Sequence, residues 1–152
     1  MKNPKGLTMI ELTIVLAMIG IMCTIAFPTM LPIIRENRIK AETRKVVDMM
    51  KLARMTALRD NITTTVSIST RKMSITQKTS DGKTKTIREI ETEYGKVYLS
   101  TNYPSVSFAS DGILKGDYPN PPTVTVTDGH NEYYVEVKLS GLAHVTPMKE
   151  LP

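Results

Sequence analysis

Polar and apolar positions divide this chain into three patterns. From Leu12 to Ile34 no charged side chain occurs, a run of 23 residues (34 − 11). A helix needs about 20 apolar residues to cross a bilayer. From Arg35 onward the apolar residues thin to a stripe: Ile39, Val46, Met50, Ala53 and Ala57, with Val47 and Leu58 beside them. That spacing predicts an amphipathic helix whose stripe faces a sheet of the same domain. Arg35, Lys40, Arg44, Lys51 and Arg59 fall largely elsewhere around it, and Asp60-Asn61 ends it. A helix from Leu7 to Arg59 would be roughly 80 Å long, half in a membrane and half the spine of a head domain.

After Asn61 the period shortens to two. Val66 and Ile68 alternate with Thr65, Ser67 and Ser69, and Met73 to Thr76 answers as a second strand. Asp81-Gly82 predicts a turn, and Lys83 to Ile90 resumes the extended pattern. Val97–Leu99 and Val106–Phe108 read as short strands, with a turn at Asp111-Gly112 and an irregular loop at Asn120-Pro121-Pro122. Thr123–Thr127, Asp128-Gly129 and Tyr133–Leu139 form a hairpin pattern. Ser140-Gly141 then leads to a last short strand, Leu142–Thr146, with a tail from Pro147. One long helix followed only by strands predicts an α+β fold with an antiparallel sheet.

One carboxylate, Glu11, stands against the apolar run, behind a leader MKNPKG that carries Lys2 and Lys5. An acid within a membrane helix costs about 2.5 kcal/mol or more at the bilayer centre and is a functional hypothesis by default. A plain single-span anchor explains the apolar length, and lysines ahead of it favour a cytoplasmic N-terminus. It does not explain Gly-Leu-Thr-Met-Ile-Glu placed against the run. A secretory signal keeps its cleavage site after the apolar region, whereas Ala26-Phe27-Pro28 continues into further apolar residues.

Lys5-Gly6, Leu7-Thr8-Met9-Ile10-Glu11-Leu12 and the apolar run to Pro28 resemble the prepilin signal of type IV pilins and type II secretion pseudopilins. The resemblance implies cleavage by a prepilin peptidase between Gly6 and Leu7 and N-methylation of Leu7. It implies that Glu11 neutralises the N-terminal amine of a neighbouring subunit in a filament. It also implies a helix break between Gly20 and Pro28 when subunits pack. The family's usual first mature residue is Phe, and Leu7 stands in that place. Pro32 is an addition to the pattern and, with Pro28, predicts a bend.

The head resembles the GspH/FimT branch of that family. The matching pieces are Met50 to Asn61, Val106 to Gly112, and Tyr133–Val137 running to Ser140-Gly141-Leu142. Members commonly carry Arg after the late Gly, where this chain has Leu142. The resemblance implies a minor pilin-like subunit, most like the H-type pseudopilin of type II secretion, near the tip of a short filament. A minor type IV pilus subunit, engaged in pilus biogenesis or DNA uptake, is the alternative.

Charge and the few chemically distinctive residues narrow the classes. The formal charge is +5, or +3 (5 − 2) once Lys2 and Lys5 leave with the leader. Residues 35–60 hold eight Lys or Arg against four acids, and residues 97–152 hold three against six. The basic excess near the membrane suits anionic headgroups, an acidic subunit or a solvated helical face. The acidic C-terminal region opposes phosphate binding. The stretch Gly141–Val145 carries no arginine, so DNA binding is not expected, although the basic patch from Arg71 to Arg88 could serve it. Cys23, the one cysteine, lies in the apolar run and forms no internal disulfide. His130 and His144 have no ligand pattern around them, so no zinc is expected. The loop with Asp128, His130, Asn131 and Glu132 is oxygen-rich but lacks a calcium-loop spacing, and Asp111, Asp117 and Asn120 stand no differently. No nucleophile elbow or phosphate loop is present. The expectation is therefore a non-enzyme without cofactor.

These readings divide the chain into a leader at 1–6, a transmembrane helix at 7–34 and a periplasmic head at 35–152. The head would hold a helix over 35–60 and strands over 62–146. Expected partners are the prepilin peptidase, other pilins or pseudopilins of the filament, and inner-membrane lipid.

Overall fold

The computed structural model describes residues 8–79, 81–93, 95 and 97–150. The chain forms two compact units, Met1–Glu36 and Asn37–Pro152. One helix, α1 (Met9–Asp60), contributes to both. Eight strands follow: β1 (Thr64–Ile68), β2 (Lys72–Lys78), β3 (Thr84–Glu91), β4 (Tyr98–Thr101), β5 (Ser105–Phe108), β6 (Thr123–Thr127), β7 (Asn131–Val137) and β8 (Ala143–Glu150).

In the first unit every described side chain from Thr8 to Arg35 is exposed. The segment Met9–Pro28, 20 residues, is long and apolar enough to cross a membrane. Its threonines are compatible with lipid because their hydroxyls are used internally. Thr13 Oγ1 donates to the Ile10 carbonyl at 2.8 Å and Thr24 Oγ1 to the Ile21 carbonyl at 2.7 Å.

In the second unit the helical stripe is buried as its spacing predicts. Ile39, Met50, Ala53 and Ala57 are fully buried, with Val46 and Val47 beside them. Leu58 differs: it is 46% exposed and lies over Gly112. Asn61 takes a positive φ of 53° and the Ile62 N–H returns to the Ala57 carbonyl at 3.3 Å. Asparagine tolerates that left-handed closing residue, so the helix stops there.

The strands form two antiparallel four-stranded sheets, ordered β3-β2-β1-β5 and β4-β6-β7-β8. A single sheet was the simpler expectation. Strand alternation defines which face is apolar but not which strand pairs with which. Here β5 leaves its sequence neighbours to pair with β1, Val66 opposite Val106, while β4 pairs with β6. Inward residues of both sheets join the helix stripe in one core, including Val66, Met73, Ile75, Val106, Phe108, Val124, Val126, Val135 and Val137.

The strand expected to end at Thr146 continues to Glu150, pairing Glu132 with Lys149 and Asn131 with Glu150. Pro147 suggests a stop because it has no N–H for a ladder. The register shifts between Glu132 and Tyr134, and β8 is an edge strand. A bulge on an edge is where a strand accommodates proline.

Candidate functional site

The chemistry singled out by the sequence lies at the start of α1. Gly6 and Leu7, with the rest of the leader, lie outside the described residues. Glu11 lies inside them and has a local partner. Its Oε2 accepts from the Thr8 backbone N–H at 2.9 Å and from the Thr8 hydroxyl at 2.9 Å, while the Glu11 N–H donates to Thr8 Oγ1 at 3.3 Å. This reciprocal pattern is a capping box, which satisfies backbone donors that a helix start leaves open. The Thr-x-x-Glu spacing before an apolar run is its sequence signature, although the expectation for Glu11 centred on a neighbour's amine. In the single subunit the carboxylate therefore closes its own helix.

The break expected between Gly20 and Pro28 belongs to the packed filament, and in the single subunit the segment is helical. Helix α1 is continuous through Gly20, Pro28 and Pro32. A proline removes its own N–H, so the carbonyls of Thr24 and Pro28, four residues earlier, lose their helical donors. Its fixed φ is nevertheless helical, and the intact ladder on both sides maintains the conformation. A Cβ at Gly20 would meet nothing within 4 Å, and Cys23 is exposed.

Two polar constellations in the head were not anticipated. Glu42 is 2% exposed, and its Oε1 accepts from Lys45 Nζ at 3.2 Å and from the Glu93 backbone N–H at 3.3 Å. Lys45 Nζ also pairs with Glu93 Oε1 at 3.0 Å. Burial lowers the Lys45 pKa, but the Glu93 and Glu42 carboxylates outweigh it and hold it above its ordinary value. A buried carboxylate needs such partners. The cluster ties the segment after β3 to α1. Glu42 sits among buried apolar helix positions, and its partner Glu93 is 51 residues away, so helix periodicity gives no sign of it.

The second constellation closes the other end of the head. Arg54 Nε donates to the Gly112 carbonyl at 3.1 Å. Gly141, with φ of 77°, packs against that carbonyl and Arg54, and a Cβ there would collide with the Gly112 oxygen. The Leu114 N–H donates to the Leu139 carbonyl at 3.1 Å. Helix, β5–β6 loop and β7–β8 turn are thus joined. Asp111-Gly112 and Ser140-Gly141 read in the sequence as two separate turns, and the structure brings them together.

The oxygen-rich loop uses its oxygens on itself. Asp128 Oδ1 accepts from the His130 N–H at 2.9 Å and the Asn131 N–H at 2.8 Å, an Asx turn. Asp111 Oδ1 accepts from the Ile113 N–H at 3.0 Å. Among the described residues, His, Cys, Asp and Glu form no cluster suited to a metal.

The comparisons agree with both units. Residues 42–142 match the family described as Type II transport protein GspH, 101 of 152 residues (142 − 41). Residues 1–27 match the prokaryotic N-terminal methylation motif. No curated protein matches the chain. Among solved structures, the type IV minor pilin FimU of Pseudomonas aeruginosa is 13% identical, with a TM-score of 0.63 over 74% of this chain and 91% of that one. The minor pseudopilin EpsH of Vibrio cholerae is 15% identical, with a TM-score of 0.58 over 70% and 94% respectively. At such identities the likeness concerns the fold: a long N-terminal helix with antiparallel sheets, as in pilins. With a family match over most of the chain and the methylation motif at its start, this chain belongs to the GspH family, within the type IV pilin and pseudopilin superfamily.

Proposed function

We propose that this chain is a minor pseudopilin of type II secretion, a structural subunit without catalytic activity. It would be anchored in the inner membrane with its N-terminus cytoplasmic and its head periplasmic. The observation that carries the reading is the methylation motif running directly into an exposed apolar helix whose first turn holds Glu11. Cleavage after Gly6 frees the Leu7 amine, one residue from the Thr8–Glu11 box. In a filament Glu11 exchanges its local donors for a neighbour's amine, and the charge pair fixes the stagger between subunits. The carbonyls of Thr24 and Pro28, without helical donors, are where α1 would yield when helices pack.

Likeness to FimU favours a second reading, a minor subunit of a type IV pilus. The two share maturation and differ in the filament joined. Intact-mass spectrometry of the membrane-extracted chain tests the common step: the species starts at methylated Leu7. A chain that keeps MKNPKG beside an active prepilin peptidase overturns both. Loss of secreted enzymes on deletion, with pili unaffected, selects the pseudopilin, and the opposite pattern selects the pilus subunit.

A further inference from the structure

The outer face of the sheet β3-β2-β1-β5 is paved with short hydroxyl side chains. Antiparallel register sets Thr86, Thr76, Thr65 and Ser107 in one row, one residue from each strand. Their neighbours Ile75, Val66 and Val106 point the other way and are fully buried. Short residues in the row and longer ones at its border leave a groove of about 760 Å³, within the range of small-ligand sites. Its lining holds two lysines, Lys78 and Lys115, and five serine or threonine hydroxyls. Among the described lining residues none is acidic. A second groove, beside α1, sets Lys45 and Arg88 against Asp48, Glu91 and Glu93, so its charges are matched internally.

The cationic end of the hydroxyl groove is held in place. Lys115 Nζ donates to Thr63 Oγ1 at 3.4 Å. Thr63 precedes Thr64, which pairs with Gln77, so Lys78 stands on the next strand beside Thr63. The backbone at Lys115 is anchored to β5. Its N–H donates to the Ser107 carbonyl at 2.8 Å. Its carbonyl accepts from the Tyr118 hydroxyl at 3.4 Å, and the Ser107 N–H donates to that same hydroxyl at 3.3 Å. On the floor, Thr65 Oγ1 and Ser107 Oγ lie 2.9 Å apart. One donates to the other, and the accepting hydroxyl keeps its own hydrogen for a ligand. Hydroxyls both donate and accept, as a polyol requires, whereas an ammonium group only donates.

We infer that this groove binds a phosphorylated sugar, with the phosphate at Lys78 and Lys115 and the sugar hydroxyls on Thr65, Thr76 and Ser107. Two ammonium groups and the hydroxyls beside them suit one phosphate. They do not suit a nucleic-acid chain, whose affinity grows with the number of phosphates neutralised. Farther along β2, Lys72 is already paired with Glu89 at 2.8 Å. The site belongs to the head alone, so it holds whichever filament the chain joins.

Isothermal titration of the full chain in detergent, at constant ionic strength, compares glucose 6-phosphate with glucose and with inorganic phosphate. Glucose 6-phosphate is expected to bind roughly tenfold or more tightly than either, since only it engages both ends of the groove. Lys78→Ala with Lys115→Ala should weaken its binding roughly tenfold or more, as loss of charge-assisted hydrogen bonds implies. Thr76→Val, close to isosteric, should weaken it about threefold, as loss of one neutral hydrogen bond implies. Both lysines are exposed, so the thermal unfolding midpoint should stay that of the parent. Should it fall, Lys78→Ala alone is read and should still weaken binding. The proposal is overturned by no binding of glucose 6-phosphate, by binding no tighter than that of glucose or inorganic phosphate, or by binding indifferent to the lysine and threonine changes. A short duplex DNA that binds more tightly and depends on the same lysines would also overturn it, and would give the groove to nucleic acid.

Discussion

The two portions of α1 are built for different surroundings from one backbone geometry. Between Met9 and Pro28 apolar side chains point in every direction and all are exposed. From Asn37 to Asp60 only a stripe is apolar, and its main members are buried at 0–2% exposure. A helix apolar all round needs lipid or other helices, whereas a striped one needs a single partner face. The difference also governs how each portion responds to change. The head is specified by packing within the subunit, whereas the described side chains of Met9–Pro28 find no such packing there.

Substitutions in matched pairs sharpen that contrast. The largest effect is expected in the core. Phe108 is fully buried, so Phe108→Ala should destabilise the head by about 3–5 kcal/mol. Phe27→Ala, at a side chain 71% exposed in the single subunit, should leave head stability unchanged. Thermal unfolding of the full chain in detergent, followed by near-ultraviolet circular dichroism, measures both. Equal losses would mean that the two portions are not energetically separate.

Glycines give the next contrast. Gly141→Ala places a side chain in the left-handed region and against the Gly112 oxygen. The φ penalty alone is roughly 1–2 kcal/mol, and displacing the loop should add about 1 kcal/mol or more. Gly20→Ala meets open space inside a helix and should favour the helix by about 1 kcal/mol. Opposite signs are expected; a neutral Gly141→Ala would remove the junction from the account.

Much of this division is legible in the sequence, because helical period, alternation and charge are local properties. The stripe from Ile39 to Ala57 and all eight strands can be read directly. The capping box is equally local, Thr8-x-x-Glu11, although the place of Glu11 against the apolar run draws attention first. The remainder is hidden because it depends on pairing across distance. Two sheets rather than one follow from β5 pairing with β1, about 40 residues apart in register. Arg54 is 58 residues from Gly112. Leu58 continues the apolar pattern but remains outside the core because the Gly112 loop, not a strand, lies against it.

A smaller effect is expected at the buried acid. Glu42→Ala leaves the Glu93 N–H without its acceptor and Lys45 with one carboxylate, Glu93, instead of two, and should cost about 1–3 kcal/mol. The Lys45 contribution has a defined pH range. Its folded pKa lies above the unfolded value, so the stabilisation is complete below about 10.5 and lost as pH rises through the folded value. The gap between parent and Glu42→Ala unfolding midpoints should therefore be narrower in strong alkali than at neutral pH, with the Glu93 N–H share remaining. A difference that persists unchanged at high pH would leave Lys45 out and assign the role of Glu42 to the Glu93 N–H.

The central claim is that Glu11 acts between subunits once the chain is mature, and not only as a cap. Crosslinking through native Cys23 in membranes separates the two roles. Thr8→Ala removes the hydroxyl of the box but keeps the carboxylate, and should cost the helix about 1 kcal/mol while Cys23 adducts with neighbouring subunits persist. Glu11→Leu should insert and be cleaved as the parent is. Its Cys23 adducts should fall at least tenfold, a change equivalent to about 1.4 kcal/mol of lost pairing. Adducts from Glu11→Leu at the parent level would contradict the account and leave Glu11 a helix cap alone.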